Sequence, residues 1–217
     1  AGAATGKGLM IQRLLFCALL LALQGFALAA PGPGRMALDE FLDGLSTLQA
    51  KFEQSVLDTE NATAGQMHGL FLLERPGRFR WDYVVPRKQI ILADGRDVWI
   101  IEEDLTQVTR HYQQWALKGT PAAFLAMEAK VEDDFEVVEI GERQGMHWLE
   151  LLPRDPESDF NRILLAFADK QLRRLELSDK FGQISRFSFY DMQRNLPIDP
   201  QLFVYQGQDD WDVLQGD

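Results

Sequence analysis

From Leu38 onward the apolar residues recur at Leu38, Phe41, Leu42, Leu45, Leu48 and Phe52, with Asp39, Asp43 and Gln49 turned away from them. Spacings of three and four put these residues on one side of a helix. Gly44 costs that helix up to ~1 kcal/mol without breaking it. Upstream, segment 31–34 reads as a flexible lead-in. After Gln54 the period shortens towards two, and strands are predicted over 56–59, 68–73, 79–84, 89–93, 98–102 and 107–111. Thr120-Pro121 has the form of a helix start, threonine as cap and proline in the first turn, followed by a short alanine-rich helix over 122–129. Strands resume over 135–140, 147–152, 162–168, 172–177, 184–191 and 202–205, with a short helical turn at 154–160 and a hairpin loop at 179–182.

About a dozen short strands joined by hairpin turns make one antiparallel sheet, strongly curved or closed on itself. The two helices either pack outside it or plug its concave side, and the many aromatics on strand faces favour the concave side. Phe79, Trp81 and Tyr83 alternate with Arg78, Arg80 and Asp82, so three aromatics share a face. Asp94-Gly95 between two apolar runs is a hairpin signal that brings Trp99 onto a neighbouring strand. Taken alone, this aromatic face reads as ordinary core, and Arg75 before Pro76 as an exposed strand-end charge.

The amino end changes the setting. Arg13 precedes an apolar run from Leu14 to Leu23, and Ala27-Leu28-Ala29 offers the small residues of a cleavage site. The run is shorter than the ~20 residues of a membrane-spanning helix. Residues 1–29 are therefore expected to be an export signal, with Met10 a candidate start and 1–9 an upstream extension, and 30–217 a single domain in the bacterial periplasm. The one cysteine, Cys17, lies within the signal and lacks the small residue that should precede a lipid-modified cysteine. No disulfide or thiol chemistry is then expected downstream. The formal net charge of −11 argues against a nucleic-acid partner, which requires a basic surface.

The sequence offers little for catalysis. His68, His111 and His147 are the only histidines, and no two stand at metal-ligand spacing. There is no Gly-x-Ser-x-Gly elbow and no phosphate-cradling glycine loop. Glu102-Glu103-Asp104 lacks the ligand spacing of a calcium loop. No enzymatic activity and no cofactor are expected.

The order Arg75-Pro76, Phe79-x-Trp81, Pro86, Asp94-Gly95, x-Trp99, with Leu105-Thr106-Gln107-Val108, Thr120-Pro121 and Asp179-Lys180-Phe181-Gly182 further on, resembles the outer-membrane lipoprotein carrier protein family, LolA. The resemblance extends over roughly residues 38 to 205. It implies a mainly β fold, an unclosed β-barrel from one strongly curved antiparallel sheet, with helices as a lid over a concave hydrophobic cavity for acyl chains. It further implies that Arg75 ties barrel to lid by hydrogen bonds, that Phe79 lies near the mouth and Trp81 deeper, and that Tyr83 and Trp99 line the same face. Leu42 and Leu45 of the first helix, and Phe124 and Leu125 of the Thr-Pro helix, would supply the lid's inner face. Arg78 departs from the family's apolar residue and should face outward. The implied function is a monomeric periplasmic chaperone that takes acylated lipoproteins from an inner-membrane ATP-binding-cassette exporter to an outer-membrane acceptor. The alternatives are a lipid- or lipoprotein-sensing module of the same fold and, more remotely, a periplasmic hydrolase.

Overall fold

The computed structural model describes residues 31–58, 60, 62–118, 120–127, 130–207 and 211–216. The export signal expected over 1–29 lies outside them. Among the described residues, no helix is long and apolar enough to cross a membrane.

Helix α1 (Pro33–Leu42) leads into β1 (Thr47–Leu57), β2 (Thr63–Glu74), β3 (Arg78–Val85), β4 (Gln89–Asp94), β5 (Asp97–Glu102) and β6 (Gln107–Tyr112). Three short helices follow, α2 (Gln113–Ala116), α3 (Pro121–Ala126) and α4 (Val131–Asp134). Then come β7 (Phe135–Arg143), β8 (Met146–Pro153), β9 (Phe160–Ala168), β10 (Gln171–Asp179), β11 (Ile184–Arg194) and β12 (Asp212–Gln215). All strands belong to one sheet in the order β12-β6-β5-β4-β3-β2-β1-β11-β10-β9-β8-β7. Two meanders thus meet at the long-range β1–β11 pair, and β12 and β7 remain as separate edges, so the sheet is not closed. Every pair is antiparallel except β12 with β6, which run parallel. The sheet is therefore mixed rather than purely antiparallel.

The sheet must curl. Phe79 and Val98 on one flank share a buried cluster with Phe135 and Leu149 on the other. Strands spaced ~4.8 Å apart would hold those flanks far from each other in a flat sheet. The concave face carries this cluster, while a smaller one, centred on Leu72, Leu92 and Phe203, lies on the convex face.

The first helix is shorter than its periodicity predicts. It stops at Leu42, the Asp43 N–H still bonding Asp39 at 2.8 Å, and Gly44 takes a φ of +59° that suits glycine. Leu48, Ala50, Phe52 and Gln54 are then buried alternately along β1. Leu48 and Phe52 stand four apart, a separation that fits one helical turn and two strand pleats equally, which is why the helical reading ran too far. The expected lead-in over 31–34 is also displaced, because Pro33 opens the helix. Glu139 of β7 accepts the Gly34 and Arg35 N–H groups at 2.8 and 3.1 Å, satisfying first-turn donors. Arg194 donates from Nη2 to the Phe41 and Asp43 carbonyls at the other end. Held at both ends, α1 lies over β7 to β10.

Segment 202–205 is not a strand. Pro200–Phe203 forms a 3-10 turn whose start is capped by Asp199, accepting the Gln201 N–H at 3.0 Å. Segment 154–160 makes a turn without a helix, and the Thr-Pro helix is described only to Ala126. Helices α2 and α4 and strand β12 are too short to leave a periodic signal in the sequence.

Gly69 shows how tightly the concave wall is built. A Cβ there would fall on the carbonyl oxygen of Asp82 and within 3.0 Å of the Phe52 ring. Gly69→Ala is expected to destabilise the protein by about 1–3 kcal/mol through overpacking. The check is a lower urea midpoint at unchanged m-value.

Candidate functional site

A cavity of about 420 Å³ lies between the concave face and helices α2 and α3. Phe71, Leu73, Phe79, Trp81 and Tyr83 line one side, Leu175, Leu177 and Phe187 the facing side, and Leu117, Pro121, Ala122 and Leu125 the roof. Register explains the first side. Leu73 pairs with Phe79, Phe79 with Ala93 and Ala93 with Val98, while Phe71 pairs with Trp81 and Trp81 with Ile91. Every second residue of β2 to β5 therefore points inward. The volume falls in the range of ~300–1,000 Å³ typical of ligand sites.

The aromatic side chains form an interlocked floor. Trp81 lies 4.6 Å from Phe71 and 5.2 Å from both Phe52 and Phe187, centroid to centroid. Tyr83 meets Phe52 edge-on at 5.1 Å. Such pairs contribute about 0.5–1.5 kcal/mol each beyond area burial, which keeps the floor rigid. Burial also pushes the Tyr83 phenol well above its ordinary pKa, so it stays neutral at physiological pH.

The roof is tied down by polar bonds. Arg75, in the β2–β3 turn, donates from Nε to the Leu125 carbonyl and from Nη2 to the Phe124 carbonyl, both at 2.8 Å. The Gly77 N–H donates to the Ala126 carbonyl at 2.8 Å. Three consecutive carbonyls at the end of α3 are thus answered by one turn. A residue the sequence reading missed completes the junction. Gln113, buried in α2, donates from Nε2 to the Gly77 carbonyl at 2.7 Å and accepts the Gly95 N–H at 3.1 Å. It clamps two hairpin turns to the roof. A lone glutamine gives no periodic or motif signal, so nothing in the sequence singles it out.

The nine residues singled out in the sequence fall into three places. Phe79, Trp81, Tyr83 and Leu125 line the cavity, with Arg75 at its roof junction. Leu45 and Phe124 are buried in the adjoining core, and half-buried Leu42 packs against it. Phe124 packs on Phe135 at 6.1 Å rather than facing the hollow. Helix α1 thus covers the packed half of the concave face, and α2 with α3 covers the hollow half.

Trp99, expected on the cavity face, lies instead on the opposite face of the sheet. It pairs with Leu92, one residue out of step with the Ala93–Val98 pair, and so points to the convex face. There it stacks on Tyr205 at 4.5 Å and donates from Nε1 to Asp94 at 2.9 Å. Counting back through the hairpin turn gives this parity; proximity in sequence alone does not. Arg78, also on the convex face, pairs with Glu74 at 2.9 Å and lies 5.9 Å over the Phe203 ring. Arg78 thus faces outward, against the segment that carries Phe203.

The family model described as "Outer membrane lipoprotein carrier protein LolA" matches residues 43–206. The chain belongs to the LolA family. An outer-membrane lipoprotein carrier protein of Methylococcus capsulatus is 38% identical over 191 residues, covering 88% of this chain and 92% of that one. One of Leptothrix cholodnii is 38% identical over 200 residues, covering 92% and 94%. Among solved structures, an uncharacterized conserved protein of Thermus thermophilus superposes with a TM-score of 0.50 at 16% identity, over 83% of this chain and 98% of that one, and shares the fold.

Asp94 anchors the β4–β5 turn of this LolA-family chain, accepting the Asp97 and Arg96 N–H groups at 2.8 and 2.9 Å. Partial burial alone would raise its pKa, but the Asp97 N–H, the Trp99 indole, the Arg96 N–H and the Arg110 charge together hold it below the ordinary 3.8. Its folded pKa is lower than its unfolded one, so its stabilising contribution is complete above the unfolded value. It disappears as pH falls through the lowered folded value. Asp94→Asn should be less stable than the parent at neutral pH, with the gap in urea midpoint narrowing as the pH is taken below 3.8.

Proposed function

We propose that this chain is a periplasmic chaperone that binds the acyl chains of lipoproteins and hands them from the inner to the outer membrane. The observation that carries this reading is the apolar cavity beneath a roof helix held by Arg75. Names of the relatives support the cargo class, since they are called outer-membrane lipoprotein carrier proteins.

The physics of transfer explains the design. Each buried methylene contributes ~0.8 kcal/mol, so a sixteen-carbon chain leaving a membrane loses on the order of 12 kcal/mol. A carrier must offset most of that and still let go. A pocket covered by its own parts meets both demands, because cargo must displace the apolar contacts of the cover and the net affinity is a difference between two burials. Leu117, Pro121 and Leu125 are the parts to be displaced, and the turn that carries Arg75 is the latch.

The charge-assisted bonds from Arg75 contribute about 1.5–3 kcal/mol each in favour of the closed roof. They bias the equilibrium towards expulsion. The chaperone acts as a monomer without cofactor or catalysis. It receives cargo from an ATP-driven inner-membrane exporter, which supplies the energy, and yields it to an outer-membrane acceptor.

Two variants test this reading. Arg75→Leu should still load lipoprotein but release it to acceptor membranes several-fold more slowly, measured by transfer between purified components; release at the parental rate would remove the latch. Phe79→Glu should depress transfer while retaining a cooperative thermal transition. Collapse of that transition would assign Phe79 to core packing instead.

A further inference from the structure

The bonds that hold the roof are unevenly placed. Gln113, Arg75 and Gly77 fasten α2 and α3 to the β2–β3 and β4–β5 turns, all on the near flank of the hollow. Among the described residues, one polar bond leads from 113–127 to the far flank, β7 to β11. Lys118, at the corner after α2, donates from Nζ to Asp155 Oδ2 at 2.9 Å, and Asp155 lies in the loop between β8 and β9. Leu117 and Thr120, on either side of that corner, line the hollow. So does Phe160, where the loop runs into β9. The Lys118–Asp155 bond therefore joins the free corner of the roof to the wall opposite.

The loop end of this bond is fixed. Asp155 Oδ1 accepts the Glu157 N–H at 2.9 Å, and the Arg154 N–H donates to the Asp134 carbonyl of α4, also at 2.9 Å. Lys180, in the β10–β11 turn, donates from its N–H to the Asp159 carbonyl at 3.2 Å and from Nζ to the Pro156 carbonyl at 2.9 Å. The loop thus stands as a post on the far wall. The bond itself is open to solvent, with 60% of the Lys118 side chain and 40% of the Asp155 side chain exposed. Its hydrogen bond to Asp155 raises the Lys118 pKa, while the Glu157 N–H and Lys118 lower that of Asp155, so both groups are charged at neutral pH. An exposed pair of this kind adds little to global stability, but a local opening needs only a small bias.

We propose that Lys118 and Asp155 are positioning residues for cargo entry: they strap down the free corner of the roof, and the rate at which acyl chains reach the hollow follows the strength of that strap. The inference rests on the carrier reading. The near-flank bonds of Arg75 and Gln113 are partly or fully buried and are little screened by salt, whereas the strap is screened strongly. Corner 117–120 lifts while the near-flank bonds stay formed and act as a hinge. Arg75 sets the balance between closed and open roof, and the strap sets the ease of the first opening.

The test follows the association rate of the methyl ester of cis-parinaric acid, an uncharged acyl chain that fluoresces in apolar surroundings, with the purified protein in stopped flow. Having no charge, the probe is not itself drawn to Lys118. At ~0.01 M salt, where charges act over ~30 Å, Asp155→Asn and Lys118→Gln should each load about two- to five-fold faster than the parent. Asparagine keeps a carbonyl for the Glu157 N–H, so the loop turn survives and the melting temperature should stay close to the parent's. Lys118→Arg, which preserves the pair, should load at the parental rate. At ~1 M salt, where screening acts within ~3 Å, the parent should gain that same factor on Asp155→Asn and draw level with it. Single variants no faster than the parent, or Lys118→Arg as fast as Lys118→Gln, overturn the strap while probe binding by the parent leaves the carrier reading standing. A parent that does not bind the probe at all overturns both.

Discussion

A helix of six residues cannot satisfy the carbonyls at its own end, and this molecule's site depends on what answers them. The last four carbonyls of an α-helix have no partner within it, and in α3 these include Phe124, Leu125 and Ala126. Arg75 and the Gly77 N–H take all three. Leaving them bare would cost more than the short helix gains, so α3 is held in place only where the β2–β3 turn can reach it. The position of the roof and the volume of the hollow beneath it both follow from that one requirement. Helix α1 obeys the same rule differently, with Glu139 at its start and Arg194 at its finish.

The concave face is consequently divided. Under α1 the side chains pack solid, as the Phe41–Phe167 contact at 5.7 Å illustrates. Under α2 and α3 the facing walls stay apart. Close packing is the rule for protein interiors, and a gap of this size among carbon side chains is a cost that the fold bears here. The rigid aromatic floor and the two anchored flanks prevent collapse from below, so adjustment is left to the roof.

Much of this was legible from alternation and turn chemistry. The Phe79-Trp81-Tyr83 face, the Asp94-Gly95 hairpin and the Thr-Pro helix each leave a local mark, because their physics is local. What escaped was set at longer range. Trp99 faces the convex side because the turn anchored by Asp94 sets Ala93 opposite Val98 and therefore Leu92 opposite Trp99, a parity that nearness in sequence does not convey. The end of the first helix is illegible because Leu48 and Phe52 satisfy both the helical and the strand period. Gln113 leaves no mark because a clamp between two turns and a helix has no spacing of its own.

The parallel pairing of β12 with β6 bears on how the chain keeps to itself. β6 spans six residues, and without a neighbour its outer backbone groups would form a ready template for a foreign strand. β12 spans only four, opens on Asp212 and is exposed along its length. A six-residue margin is thereby exchanged for a four-residue one that opens on an aspartate, a shorter template for any foreign strand.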